Sequence, residues 1–240
     1  MNFDDELDLG TLDSAPENIP QVVIVNETSK AAKQGGIVGQ LNVTGTNTNV
    51  KSFTAVPLNV KARRIWFMGN GTSYFCRSED SIKPVASDSE HYRQQSADCR
   101  ACPKAKWRGR TNPPECQNSL DVTMAVLTDG LPKVVEMSFK SSSMKAIKNA
   151  LELMSEKGGL TSHKFNIESM IVEGRNFDYF VAVVDKVTPL TDAEKKSIVS
   201  LVSKYSPKTD HIHLEKPAEI EISSDEVASF SKDLIEIDLE

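Results

Sequence analysis

The chain contains four cysteines, Cys76, Cys99, Cys102 and Cys116, and all fall in one central stretch with the spacing C-x22-C-x2-C-x13-C. Four thiolates complete a tetrahedral zinc site, and C-x-x-C is the usual knuckle that supplies two of them. The stretch from Cys76 to Cys116 is rich in polar and charged residues. It has little apolar side chain to bury and needs another kind of staple to hold a shape. The sequence therefore predicts one structural Zn2+ per chain, closed by four protein ligands and without an open position for a catalytic water. His91, in the wide gap between Cys76 and Cys99, is an alternative fourth ligand. Four ordinary buried thiols, or a redox pair at Cys99 and Cys102, are the competing readings.

The charge distribution narrows what such a module would touch. The net charge of −6 over 240 residues conceals acidic ends around a basic body. Residues 1–20 carry six acids and no Lys or Arg, and residues 211–240 carry nine acids against two lysines, so the remaining 190 residues sum to +7. Between Lys61 and Arg110 stand eleven basic residues against five acids. Trp66, Phe67, Tyr74, Phe75, Tyr92 and Trp107 are interleaved with them. A single nucleic-acid strand needs cations for its phosphates and π-faces for its unstacked bases, and this stretch supplies both. The candidate DNA contacts are Lys61, Arg63, Arg64, Trp66, Tyr74, Arg77, Arg100, Lys104, Lys106, Trp107, Arg108 and Arg110. Side chains alternate along a strand, so Trp66 and Phe67 cannot share a face, nor can Tyr74 and Phe75. One ring of each pair is expected to be exposed. Lys133, Lys140, Lys145 and Lys148 read as solvated charges that extend a phosphate track only secondarily.

The pattern of apolar residues gives the order of elements. Gln21–Asn26 is a short strand, residues 33–48 a polar, Gly-rich loop or hairpin, and Ala55–Val60 a further strand. Arg64–Phe75 reads as two strands about an Asn70-Gly71 turn. Leu120–Thr128 and Pro132–Phe139 form a hairpin about Asp129-Gly130. Met144, Ile147, Leu151 and Met154 mark one face of a helix that follows a run of candidate caps, Ser141–Ser143, and ends at Gly158-Gly159. Phe165–Glu173 and Tyr179–Val187 form another hairpin, and Asp192–Tyr205 a last helix capped by Thr191. The sum is a mainly β (α+β) chain. The order strand, insert, strand, strand, helix, strand, strand is that of a five-stranded OB-fold-like barrel. Its helix lies between strands three and four, and the zinc-binding insertion at 76–116 lies between strands one and two. The expected organisation is a disordered acidic segment at 1–20, a DNA-binding domain at 21–207 and an acidic tail at 208–240.

The run "YFCRS", then "CRACPKAKW", then a fourth cysteine in "PPEC", and downstream "LPKVVEMSFKSSSMKAIKNALELMSEKGG", resembles a group of tailed-bacteriophage proteins. That group is similar to single-stranded-DNA-binding proteins with a zinc-containing insertion. The resemblance covers roughly residues 60–190 by motif order. It implies a role in DNA replication, recombination or repair during infection, in the host cytoplasm if the chain is phage-encoded.

The tail joins acids to Phe230, Leu234, Ile235, Ile237, Asp238, Leu239 and Glu240. This mixture suits a segment that docks replication or recombination proteins, or that competes with DNA for the protein's own groove. No apolar run approaches the length of a membrane span and the acidic start does not read as a signal peptide, so a cytoplasmic protein without a membrane partner is expected. The chain carries no Walker A loop and no H-E-x-x-H, so no enzyme is expected. The leading expectation is a protein that binds single-stranded DNA with little sequence specificity, with homo-oligomers on DNA as a possibility. The alternatives are a zinc-ribbon transcription or polymerase accessory factor and a nuclease or recombinase subunit with an unrecognised metal site.

Overall fold

The computed structural model describes residues 19–27, 29–46, 48–68, 73–108, 112–128, 130–173 and 178–206. The chain divides into units of residues 1–209 and 210–240, and every described residue belongs to the first. Residues 1–18 of the acidic segment expected at 1–20, and the tail contacts Phe230, Leu234, Ile237, Asp238, Leu239 and Glu240, therefore lie outside the described residues, as do Asn70, Gly71, Arg110 and Asp129.

The described residues form a curled, mixed sheet with few helices, a half-barrel. In chain order the elements are β1 (Gln21–Ile24), α1 (Lys30–Lys33), β2 (Leu41–Val43), β3 (Asn49–Val50), β4 (Ser52–Phe67), β5 (Tyr74–Ser78), β6 (Cys116–Val126), β7 (Lys133–Lys140), α2 (Ser141–Glu156), β8 (His163–Val172), β9 (Tyr179–Pro189) and α3 (Asp192–Tyr205). The sheet runs β3-β2-β1-β7-β6-β4-β8-β9, with β5 added to β4. The pairings are antiparallel except that of β1 with β7, which is parallel.

β4 is the spine. The sequence reads as a strand at Ala55–Val60 and another beginning at Arg64, but one strand of 16 residues runs through both. Lys61 and Arg63 do not interrupt it because Val60, Ala62 and Arg64 alternate with them across the pleat. Its first half pairs with β8 and β6, and its second half with β6 and β5. The register across β6 and β7 sets Leu120 opposite Phe139, Val122 opposite Met137 and Met124 opposite Val135. These six side chains share one face and are nearly fully buried, as are Ile147, Leu151 and Met154 of α2. The opposite face is apolar only at one end. There Val56, Leu58, Ala125 and Val134 pack with Leu190 and with Ile198 of α3.

α2 and α3 follow the sequence closely, with one difference at the start of α2, whereas the short α1 has no counterpart in the sequence reading. Thr191 caps α3 through a capping box, accepting from Glu194 N while Glu194 Oε2 accepts from Thr191 N at 2.8 Å. For α2 the cap position falls on Lys140, which gives no side-chain cap, and the three serines lie within the first turn. Ser143 is buried and its hydroxyl accepts from Ala182 N of β9 at 2.9 Å, tying helix to sheet. That tertiary bond takes the serine that would otherwise compete for the cap.

Candidate cysteine centre and nucleic-acid interface

The two faces of the second half of β4 carry different chemistry. Trp66 is directly opposite Cys76 on β5 and Cys116 on β6, so the three form one row across three strands on the core-side face. Arg64 stands two residues earlier on that face, opposite Ser78 and Asn118. A bulge follows, because Phe67 pairs with Tyr74 while Trp66 pairs with Cys76, which leaves Phe75 as the extra residue. The bulge breaks the alternation and brings the Phe75 ring to 4.8 Å from Trp66.

The segment after β5 hangs on the sheet by backbone bonds. Asp80 pins its start, with Oδ1 accepting from Ile82 N at 2.7 Å, Lys83 N at 2.9 Å and the Ser78 hydroxyl at 2.9 Å. Burial pushes the Asp80 carboxyl up, but these three donors outweigh it and hold the group below its ordinary value. Val85 N donates to Arg77 O, Arg93 N to Phe75 O and Cys99 N to Ile82 O, each at 2.7–2.9 Å. The knuckle then turns, with Cys102 N on Cys99 O and Ala105 N on Cys102 O.

All four cysteines are free thiols, and all four line one cavity of about 20 Å³ together with Arg64, Trp66 and Lys104. A space of about 10–15 Å³ is the minimum for one water-sized body, so the cavity has room for a single small occupant. Among the described residues no three His, Cys, Asp or Glu side chains are gathered closely enough to hold a metal ion as they stand. The thiols thus border a common space without closing to ligation distance. His91 is half-exposed, pairs with Glu90 at 3.3 Å and does not line the cavity. Burial pushes the Cys116 thiol up to about 11; the Arg64 guanidinium opposes this, and the thiols of Cys102, Cys76 and Cys99 add to it. Burial likewise raises Cys76, reinforced by Cys99 and Cys102, and raises Cys99 against the pull of Ser78 and Arg64.

The other face of β4 is polar and outward. Lys61 is opposite Asp121, and Arg63, Ser119 and Lys140 form one row across β4, β6 and β7. Phe67 and Tyr74 are neighbours across the β4–β5 pair. Arg77 lies 5.2 Å above the Tyr74 ring, and Lys140 Nζ lies 5.5 Å from the Phe67 ring. Each of the two rings on this face therefore has a cation beside it.

The residues expected from the sequence are thus divided. Arg63 is held in the sheet, with Nη1 at 2.6 Å from the buried Asp121 Oδ2 and Nε at 2.9 Å from Glu79 Oε2. Lys104 Nζ bonds Glu115 at 2.9 Å and lies 4.7 Å above Trp66, and Arg108 also pairs with Glu115. Arg100 is exposed, with its N–H on Asp98. Lys61 and Lys106 are exposed. Trp107 is 64% exposed, whereas Trp66, Phe67, Tyr74 and Phe75 are all half-buried. The expectation that each ring pair leaves one member exposed is therefore not met: Lys104 and Phe75 cover Trp66, Lys140 covers Phe67 and Arg77 covers Tyr74. Phe67 is absent from the candidate contacts read from the sequence, and Lys140 has only a secondary part in them. The signal was present, since a two-residue Asp129-Gly130 turn sets Ser119 against Lys140 by counting outward.

No family model, no curated protein and no solved structure matches this chain. Among the described residues no helix is long and apolar enough to cross a membrane.

Proposed function

We propose that the chain binds single-stranded DNA with little sequence specificity, laid across the outward face of β4–β5–β6–β7. The observation that carries the reading is the adjacent pair Phe67 and Tyr74, each ring with a cation beside it, in register with Lys61 and Arg63. Stacking on such rings is worth about 1–3 kcal/mol per base and tolerates any base, because every base has a π-face. The connectivity supports an OB-fold-like barrel as the frame. β4, β6, β7, α2, β8 and β9 follow in its order, and the neighbours β7-β6-β4-β8-β9 are those of its five strands. β1, parallel to β7, then occupies the edge at which such a barrel would close.

The cysteine centre fits this reading as a structural zinc site in the connection between the first two barrel strands. Cys76, Cys99, Cys102 and Cys116 would hold the ion, which would supply the tie that the polar segment lacks. Binding exchanges four S–H protons for one Zn2+, so the raised thiol values make uptake release protons and favour higher pH. A role in replication, recombination or repair, with the acidic tail recruiting partners, completes the proposal.

Titration of the zinc-loaded full chain with fluorescent single-stranded and duplex oligonucleotides tests it. Tighter binding of the single strand, with quenching of Trp fluorescence, is expected. Binding to duplex alone would overturn it in favour of a transcription or polymerase accessory factor.

A further inference from the structure

We propose that Arg64 is the counter-cation of the cysteine centre, donating its Nε–H to a metal-bound thiolate, and is not a phosphate contact. The inference rests on the zinc reading above and assigns the surroundings of that site. By sequence Arg64 belongs with Arg63 and Arg77 in one basic patch. The pleat separates it from Lys61 and Arg63: Arg64 shares its face with Trp66, Cys76 and Cys116, while Lys61 and Arg63 point the other way. Arg77 also borders the cavity, but its guanidinium lies over the Tyr74 ring and 3.7 Å from Glu79.

Two observations converge on the role. Arg64 lines the cavity bordered by the four cysteines. Its Nε is buried and without a hydrogen-bond partner. A guanidinium cannot shed its charge, so a buried N–H must find an acceptor or remain a penalty. The cavity offers four sulfur acceptors, alongside the side-chain oxygens of Ser78, Gln95 and Ser96. Zinc uptake follows Zn2+ + 4 RSH → [Zn(SR)4]2− + 4 H+, which leaves two negative charges in a partly buried space. Arg64 offsets one of them, and an N–H···S bond satisfies the orphaned donor. Lys104 also lines the cavity but is already engaged by Glu115 and Trp66. Groups that hydrogen-bond metal ligands typically change metal affinity about 10–100-fold when removed.

The test uses the full chain loaded with zinc, with release followed by a chromogenic chelator in excess. Arg64→Met keeps the length of the side chain and removes the charge and the donor; it is expected to release zinc about 10–100 times faster than wild type. Arg64→Lys keeps the charge and lacks the Nε–H, and is expected to fall between the two. At saturating zinc, R64M is expected to bind single-stranded oligonucleotide with unchanged affinity and salt dependence. Zinc release by R64M within twofold of wild type overturns the inference, as does a reduced salt dependence, which would make Arg64 a phosphate contact. Should R64M fail to fold, R64K decides. In its Co2+ form the thiolate-to-cobalt charge-transfer band is expected to shift, and an unshifted band with wild-type release overturns the inference. Wild-type protein that takes up no zinc sinks the cysteine reading and this inference together, whereas a zinc-loaded wild type indistinguishable from both variants sinks this inference alone.

Discussion

Lys140 gives the sharpest test of where the strand lies. It stands in one row with Ser119 and Arg63 and beside the Phe67 ring, whereas sequence alone treats it as one more solvated lysine. Arg63 is held by Asp121 and Glu79 at 2.6–2.9 Å, whereas Lys61, Lys140 and Arg77, the last reaching Glu79 only at 3.7 Å, remain to meet phosphates. Each phosphate neutralised on a single strand contributes about −0.7 to the slope of log K against log salt. Three contacts give a slope of about −2, which is about a 20-fold loss of affinity between 50 and 200 mM salt. Lys140→Ala should reduce the slope to about −1.4 and the loss to about sevenfold. Fluorescence anisotropy of a labelled oligo-dT across that range of salt measures both. Lys195→Ala, a cation on α3 paired with Asp192, should leave the slope unchanged. An unaltered slope in both K140A and K61A, with a reduced one in K106A, would refute the reasoning and move the strand onto the cysteine segment.

Four further outcomes follow from the same structure. Phe67→Ala and Tyr74→Ala should each weaken single-strand binding about 5- to 150-fold, the equivalent of one lost stack of about 1–3 kcal/mol, without altering zinc content; equal affinity to wild type in the titration would remove the platform. Asp121→Ala should destabilise the fold. Asp121 is 3% exposed and accepts from both Arg63 and the Ser138 hydroxyl at 2.6–2.7 Å. Breaking a buried pair costs about 3–5 kcal/mol, and the partial exposure of Arg63 and its second partner Glu79 bring this to about 2–3 kcal/mol, readable as a shift in urea midpoint. Thr191→Ala should cost about 0.5–2 kcal/mol through the lost cap. Glu194 adds a pH signature. Burial pushes its carboxyl up, but hydrogen bonds from Lys164 and Thr191 outweigh this and hold it below 4.5. A lowered folded value means that the stabilisation is fully present above 4.5 and fades as pH falls through the folded value. The stability gap between wild type and Glu194→Gln should therefore close in acid, and a gap constant from pH 7 to pH 3 would contradict it.

What the sequence made legible was set by local signals. The Thr191 cap of α3, the Gly158-Gly159 stop and the strands of both hairpins are marked by short-range features, and these elements stand where the pattern puts them. The strand order required more than pattern. The parallel approach of β1 to β7 joins residues more than a hundred positions apart, and nothing in QVVIVN announces a partner. The basic patch was legible as a composition and not as a surface. Arg63 looked like a free cation because Asp121 lies 58 residues further along the chain, and the pleat that brings them together is a property of the β4–β6 register.

That register also explains how one strand can serve two chemistries without interference. From Asn59 to Phe67, β4 sends Val60, Ala62, Arg64 and Trp66 to the core side and Lys61, Arg63, Ile65 and Phe67 outward. A one-residue slip would exchange the sets, setting Lys61 and Arg63 against Leu120 and Val122 and carrying Arg64 and Trp66 out to solvent. The apolar core under α2 forbids that slip, because it would strand charge against side chains that are nearly fully buried. The core thereby fixes, some residues away, which arginine shares a face with the cysteines and which rings are turned to the opposite face. The bulge at Phe75 is the one place where the alternation is relaxed, and it lets the hairpin present Tyr74 outward beside Phe67 while Cys76 still faces the thiol cavity. Removing the extra residue would keep the hairpin but turn either Tyr74 or Cys76 to the wrong face. A Phe75 deletion should therefore lose ring stacking or zinc retention while the core register of β4 with β6 survives.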